Sequence, residues 1–173
     1  MIHLLQTLLV LVFPALVITA ALRDVISYTI PNWISLALIA AFPVAALAQG
    51  MALPALGMAF GVGALALVAG MAMFAMGWIG GGDAKVFAAA ALWLGWPAIL
   101  TYLAVTGIAG GALAVGLLGL RSPLLRPWVM NGPAWFARLA EPGENVPYGL
   151  AIAIGALAAF PASALMQGVG HLI

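Results

Sequence analysis

Apolar residues in this chain come in long uninterrupted runs, at roughly 3–22, 33–49, 53–77, 84–95, 97–120 and 148–170, with charges and prolines gathered between them. A helix that crosses a bilayer core of about 30 Å needs about 20 mostly apolar residues, so the pattern predicts an all-α, polytopic membrane protein with six transmembrane helices, one of them short. The short one is the fourth run, 84–95. It must extend back into the glycine segment before it, start below the surface, or join the fifth run, which would give five spans. No Lys or Arg precedes the first run, unlike the basic start of a secretory signal peptide, so that run reads as a retained span.

Composition agrees. Of 173 residues, 66% are hydrophobic and 5% charged, against about 45–50% apolar in soluble domains. Several spans leave little room for a separate soluble domain, and residues 1–173 read as one integral-membrane domain. The absence of cysteine excludes disulfides, zinc–thiolate sites and cysteine nucleophiles. A net charge of +1 from scattered bases argues against nucleic acid as a partner, because phosphate binding needs a concentrated basic surface.

Six spans place Arg23, Lys85, Arg121, Arg126 and Arg138, all the basic residues of the chain, in connections on one side. By the positive-inside rule that side is cytoplasmic. An odd number of crossings between Lys85 and Arg121 would separate them, so the agreement favours six. Both aspartates and both glutamates fall on the same side. Residues 121–147, with several prolines, Trp128, Trp135, Phe136 and Arg138, suit a cytoplasmic or interfacial loop. Gly57 with Gly61 and Gly107 with Gly111, each four apart, read as places where helices approach closely.

Asp24 and Asp83 are the only aspartates. Asp24 directly follows the first run and precedes Ile30-Pro31-Asn32, where the proline disfavours helix at Ile30 and Asn32 can cap the second helix. Asp83 ends Gly80-Gly81-Gly82-Asp83, a backbone stripped of side chains that can approach a substrate closely. Asp83 can equally be an N-cap. Ionisable groups at membrane depth are rare and usually functional, but Arg23 and Lys85 could simply pair with these aspartates as inside anchors. The functional alternative brings the two carboxylates together across a wet cleft. They then share one proton, the ionised one activating a water and the protonated one hydrogen-bonding a peptide carbonyl. That chemistry needs no metal or cofactor.

Asp24, Ile30-Pro31-Asn32, Gly80-Gly81-Gly82-Asp83-Ala84-Lys85 and Val146-Pro147-Tyr148-Gly149 together resemble the type IV prepilin peptidases, the aspartyl peptidases with a G-x-G-D motif, over essentially the whole chain. The likeness is to the short form that serves Flp-type (Tad or Cpa) pili, without the methyltransferase region. It implies that Asp24 and Asp83 are catalytic and that Gly80, Gly81 and Gly82 form the motif beside them. It further implies a bacterial inner-membrane enzyme that removes short basic leaders from prepilins and pseudopilins at the cytoplasmic face.

Other polar residues carry less. Lys85 reads as an inside anchor rather than a substrate ligand, and Arg23 likewise. Glu141 and Glu144 read as solvated, with a basic leader as their alternative partner. Tyr148 reads as interfacial, and His3 and His171 lie on the far side. Two rival functions remain open to this sequence: a proton- or cation-coupled transporter, which would need carboxylates at mid-membrane and internal repeats, and a non-enzymatic subunit of a pilus or secretion platform.

Overall fold

The computed structural model describes residues 2–141 and 146–170, and Glu144 and His171 lie outside them. The described chain is helical: α1 (Ile2–Ser27), α2 (Asn32–Ala48), α3 (Leu53–Ala75), α4 (Gly81–Leu94), α5 (Ala98–Leu120), α6 (Arg126–Met130), α7 (Ala134–Leu139), α8 (Tyr148–Ala159), a 3-10 turn (Phe160–Ala162) and α9 (Ala164–Gly170). Among the described residues, four segments are long and apolar enough to cross a membrane, His3–Ser27, Leu53–Ala75, Ala98–Leu120 and Tyr148–Gln167. At 17 and 14 residues, α2 and α4 fall short of the usual ~20. Large apolar side chains cover the outside, among them Leu8, Leu11 and Leu22 of α1, Leu65 and Val68 of α3, and Ile108, Val115 and Leu118 of α5. Continuous faces of this kind are unfavourable in water and natural in lipid, which makes this a membrane protein.

Helix α1 turns one face inward at Val10, Phe13, Val17, Ala20, Ala21 and Asp24, steps of three and four that keep one stripe on a 3.6-residue helix. The apolar run stops at 22 but the helix continues through Arg23 to Ser27. Asp24 therefore sits within the last turns of α1, on its buried stripe, rather than after the helix.

At the centre is α4. Of its residues from Asp83 to Leu94, all but Lys85 are buried, and it packs against α1, α2, α3, α5 and α8. Its alanines, Ala84 and Ala88 to Ala91, keep the helix thin enough to be surrounded. It does extend back into the glycine segment, the first of the three routes open to the fourth run. Its far end is anchored by Trp93, whose indole N–H donates to Leu38 O at 2.8 Å and whose ring packs on Phe13 and Phe42 at centroid distances of 5.3 and 5.7 Å.

Close packing falls on different glycines from those expected. A Cβ at Gly57, Gly61, Gly107 or Gly111 would meet nothing within 4 Å, so these pairs face outward. The tight face of α3 is Ala59, Gly63, Ala66 and Gly70. A methyl at Gly63 would stand 3.0 Å from Leu92 Cβ, and one at Gly70 would stand 3.2 Å from Ala84 O. In α8 one tight glycine is Gly155, where a Cβ would stand 2.9 Å from Thr106 N and Tyr102 O.

Two further segments differ from a plain reading. The last apolar run is broken at Phe160–Ala162, where Pro161 supplies no N–H to continue the helix. Residues 121–147 carry the short helices α6 and α7, and Arg121 Nε holds α7 to the end of α5 through Leu139 O at 3.0 Å.

The two sets of glycines should behave oppositely. Gly70→Val should cost about 1–3 kcal/mol, as overpacking does, while Gly61→Val should stay within about 0.5 kcal/mol. Thermal unfolding of the detergent-solubilised protein measures both, and equal effects would contradict the packing described.

Candidate active site

The end of α1, the turn into α2, the start of α4 and the start of α8 meet at one end of the bundle. Helix α1 closes with Tyr28 in the left-handed region at φ 54°, its N–H donating to Asp24 O at 2.8 Å. An aromatic residue at positive φ is a strained choice. It reverses the chain sharply, so that Thr29 and Ile30 fold back beside Asp24. Pro31, with φ −62° and ψ 139°, then starts α2. Pro31 rather than Asn32 occupies the cap position, and Asn32 Oδ1 instead accepts a 2.8 Å hydrogen bond from Lys85 Nζ.

Gly80 is the N-cap of α4, which puts Asp83 at the third helical position. Asp83 Oδ2 accepts from Gly80 N–H at 3.1 Å, so the carboxylate caps the helix from within rather than from the cap position. Gly82 is fixed by packing: a Cβ there would stand 3.1 Å from Ile30 Cβ and 3.3 Å from Ile30 O. Gly82 thus lets the α1–α2 turn lie against the start of α4, while a Cβ at Gly80 would crowd Asp83 Oδ2 at 3.0 Å.

Asp24 and Asp83 are only 4% and 6% exposed, and they line one cavity of about 250 Å³ with Tyr28, Thr29, Ile30, Gly80, Gly81 and Gly82. A single water needs only ~10–15 Å³ of such space. All five residues assigned to the site from the sequence are therefore brought together. Neither anchoring base replaces this pairing: Lys85 is turned to Asn32, and Arg23 lies on the exposed side of α1. Asp83 stands outside the four long apolar segments, and its carboxyl is pushed up from 3.8 to about 7, first by burial, then by the negative charge of Asp24, against the N–H groups of Gly80 and Gly149.

Gly149 is the residue that sequence reasoning did not assign to the site. Its N–H donates to Asp24 Oδ2 at 2.7 Å, across 125 positions of chain. The one available signal was Pro147-Tyr148-Gly149 at the start of the last run, a proline-led helix start whose free N–H groups attract an anion.

Around the cavity, α7 sets the guanidinium of Arg138 4.9 Å from the centroid of the Tyr28 ring. Tyr148 packs against α5 beside Gly110. Glu141 is exposed, and His3 is exposed at the opposite end of α1. Among the described residues no group of three or more His, Asp or Glu comes together to hold a metal.

A family model described as the type IV leader peptidase family matches residues 11–115, a stretch that contains both aspartates and the glycine segment. The chain belongs to that family. Membership makes it a leader peptidase, a hydrolase whose substrates are of the prepilin type. Among curated proteins and among solved structures nothing matches it.

Burial of the Asp83 carboxyl has a stability consequence that needs no substrate. Because the folded state raises its pKa from 3.8 to about 7, the folded chain binds more protons than the unfolded chain between those values. Stability should be fully present below about pH 4 and fall as pH rises to about 7, by at most about 1.4 kcal/mol per pH unit for one proton. Thermal midpoints of wild type and Asp83→Asn across that range measure it. The expected result is a gap between the two that changes steadily with pH, and a constant gap would contradict the assignment.

Proposed function

We propose that this leader peptidase is an aspartic endopeptidase that removes short basic leaders from Flp-like prepilins and pseudopilins, with Asp24 and Asp83 as its catalytic pair. The carrying observation is that two buried carboxylates, from helices far apart in the chain, line one cavity with the glycine segment.

Two carboxylates this coupled titrate as a unit and hold one proton between them near neutrality. The ionised member takes a proton from water while the water oxygen bonds to the peptide carbonyl carbon. The protonated member hydrogen-bonds the carbonyl oxygen and stabilises the negative charge that develops there. Collapse of the tetrahedral intermediate breaks the C–N bond, and the departing amine takes the proton held by the first carboxylate.

The same reading places α2 and the apolar part of α4, from Ala84 to Leu94, as the two short members of six membrane segments in one domain spanning residues 1–173, with Asp83 just outside the span. The ends of α1, α3 and α5 and the starts of α2, α4 and α8 then face the cytoplasm of a bacterial inner membrane. What supports it is the gathering of bases at that end, with Lys85 bonded to the start of α2 and Arg138 stacked on Tyr28. Residues 121–147 then lie along the cytoplasmic surface, and a leader carrying positive charge would approach from the side that holds the two aspartates.

Co-expression with a prepilin tests the pair. Asp24→Asn and Asp83→Asn should each leave a folded membrane protein yet lower cleavage by roughly 10²–10⁴-fold, the range for a lost general acid or base. Wild-type activity should also decline above the value of about 7 for Asp83, as the required proton is lost. Full processing by either variant would overturn the assignment.

A further inference from the structure

The reaction needs two like carboxylates to take unlike roles, and their surroundings are not alike. Gly149 N–H lies in the first turn of α8 and donates to Asp24 Oδ2 at 2.7 Å. Asp83 Oδ2 takes the longer bond, 3.1 Å from Gly80 N–H, and Asp83 Oδ1 is buried with no donor from the protein; Gly149 N–H bears on Asp83 as well, but less than Gly80 N–H does. A backbone N–H can only donate, so a short bond from one favours the ionised form of its acceptor. A buried carboxylate oxygen without a donor is costly when charged and tolerable in an acid, whose O–H can itself donate.

Gly149 also cannot be replaced without moving Asp24. A Cβ there would stand 2.8 Å from Asp24 Oδ2, 2.9 Å from Asp24 Cβ and 3.0 Å from Ile30 Cδ1. Its backbone is ordinary helix, so what bars a side chain is space. The absent side chain is the reason α8 can press its free N–H onto the carboxylate. The other titratable or charged groups at the cavity are Asp83 on α4, Tyr28 on the turn, and Arg138 of α7 over the Tyr28 ring.

We propose that Gly149 is a positioning residue that assigns the two roles, its N–H holding Asp24 as the carboxylate that deprotonates water while the shared proton stays on Asp83. This rests on the peptidase reading above and deepens it.

The test compares Gly149→Ala with Gly155→Ala in the full-length chain, using the prepilin that wild type cleaves. Gly155 is also tight, in the same helix, but packs on Thr106 and Tyr102, away from both carboxylates. Gly149→Ala should lower kcat by about 10²-fold, the cost of misplacing a catalytic group by about 1 Å. KM should change little, and the acid limb of the pH–rate profile should move to higher pH as Asp24 loses its donor. Gly155→Ala should lower the thermal midpoint and leave that limb in place. Unchanged kcat in Gly149→Ala, or a loss of activity with the acid limb unmoved, would overturn the proposal.

Infrared spectroscopy keeps the question open to test even where Gly149→Ala fails to fold. Near pH 6, the carbonyl band of a protonated carboxyl should be clearly stronger in Asp24→Asn than in Asp83→Asn. The reverse pattern would overturn the assignment of roles. Full cleavage by both Asp→Asn variants would instead remove the peptidase reading itself, so the two failures are distinguishable.

Discussion

Helix α4 is enclosed on nearly every side, and a helix enclosed by others must be thin, because neighbouring axes can approach to about 8–10 Å only where the side chains between them are small. Alanine supplies that thinness along α4 and glycine supplies it on the facing side of α3, at Gly63 and Gly70. The same enclosure removes the start of α4 from solvent, and with it Asp83. A helix that begins inside a bundle has N–H groups that must be satisfied without water. Asp83 meets part of that need by accepting from Gly80 N–H. The residue that stabilises the helix start is thereby the residue whose carboxyl is desolvated.

The second carboxylate is placed by an independent constraint. Asp24 falls on the inward stripe of α1 that also carries Phe13, Val17 and Ala20, so its direction is fixed by helical period and not by the loop that follows. The strained Tyr28 then turns the chain back over the start of α4, and Gly82 lets Ile30 lie against it. Each carboxylate sits at the N-terminal end of a helix that is not interrupted by the site, Asp83 in α4 and Asp24 against α8. Backbone N–H groups are fixed dipoles, so they stabilise charge in a dry setting without reorganising. That removes the need for a basic side chain in the cavity, and leaves Lys85 to Asn32.

Much of this was legible in the sequence because membrane helices declare themselves through length of apolar run, and because Asp24 and Asp83 are the only aspartates of the chain. The glycine segment marked the helix start for the same reason, since three glycines in a row have little other use. What sequence could not supply was rotation. Whether a glycine in an apolar helix faces lipid or a neighbour depends on which side of the helix is covered, and α3 is apolar all round. Gly57 and Gly61 have the favoured spacing and face outward, while Gly63 and Gly70, seven apart, make the contact. The extent of α1 was missed because the apolar run ends before the helix does, Arg23 pointing outward and Asp24 inward on successive positions. Counting spans meets a related limit: α2 and α4 are helices of 17 and 14 residues, and length separates them from the four long segments without saying how deep they lie.

The matched stretch 11–115 contains both carboxylates and the glycines that line their cavity, yet the donor on Asp24 comes from residue 149. The site is therefore not a property of its motif alone. Helix α8 packs against both α1 and α5, and this packing, made by small residues at Gly149, Ala151, Gly155 and Ala156, sets how closely its first turn approaches Asp24. A change in how α5 and α8 meet, as at Gly155 against Thr106, is separated from the carboxylates by more than a helical turn and acts on the bundle as packing. A change at Gly149 acts first on Asp24 Oδ2, which its N–H meets at 2.7 Å. The two carboxylates are chemically identical, so any difference in their behaviour must come from such neighbours, and the start of α8 is where the bundle supplies one.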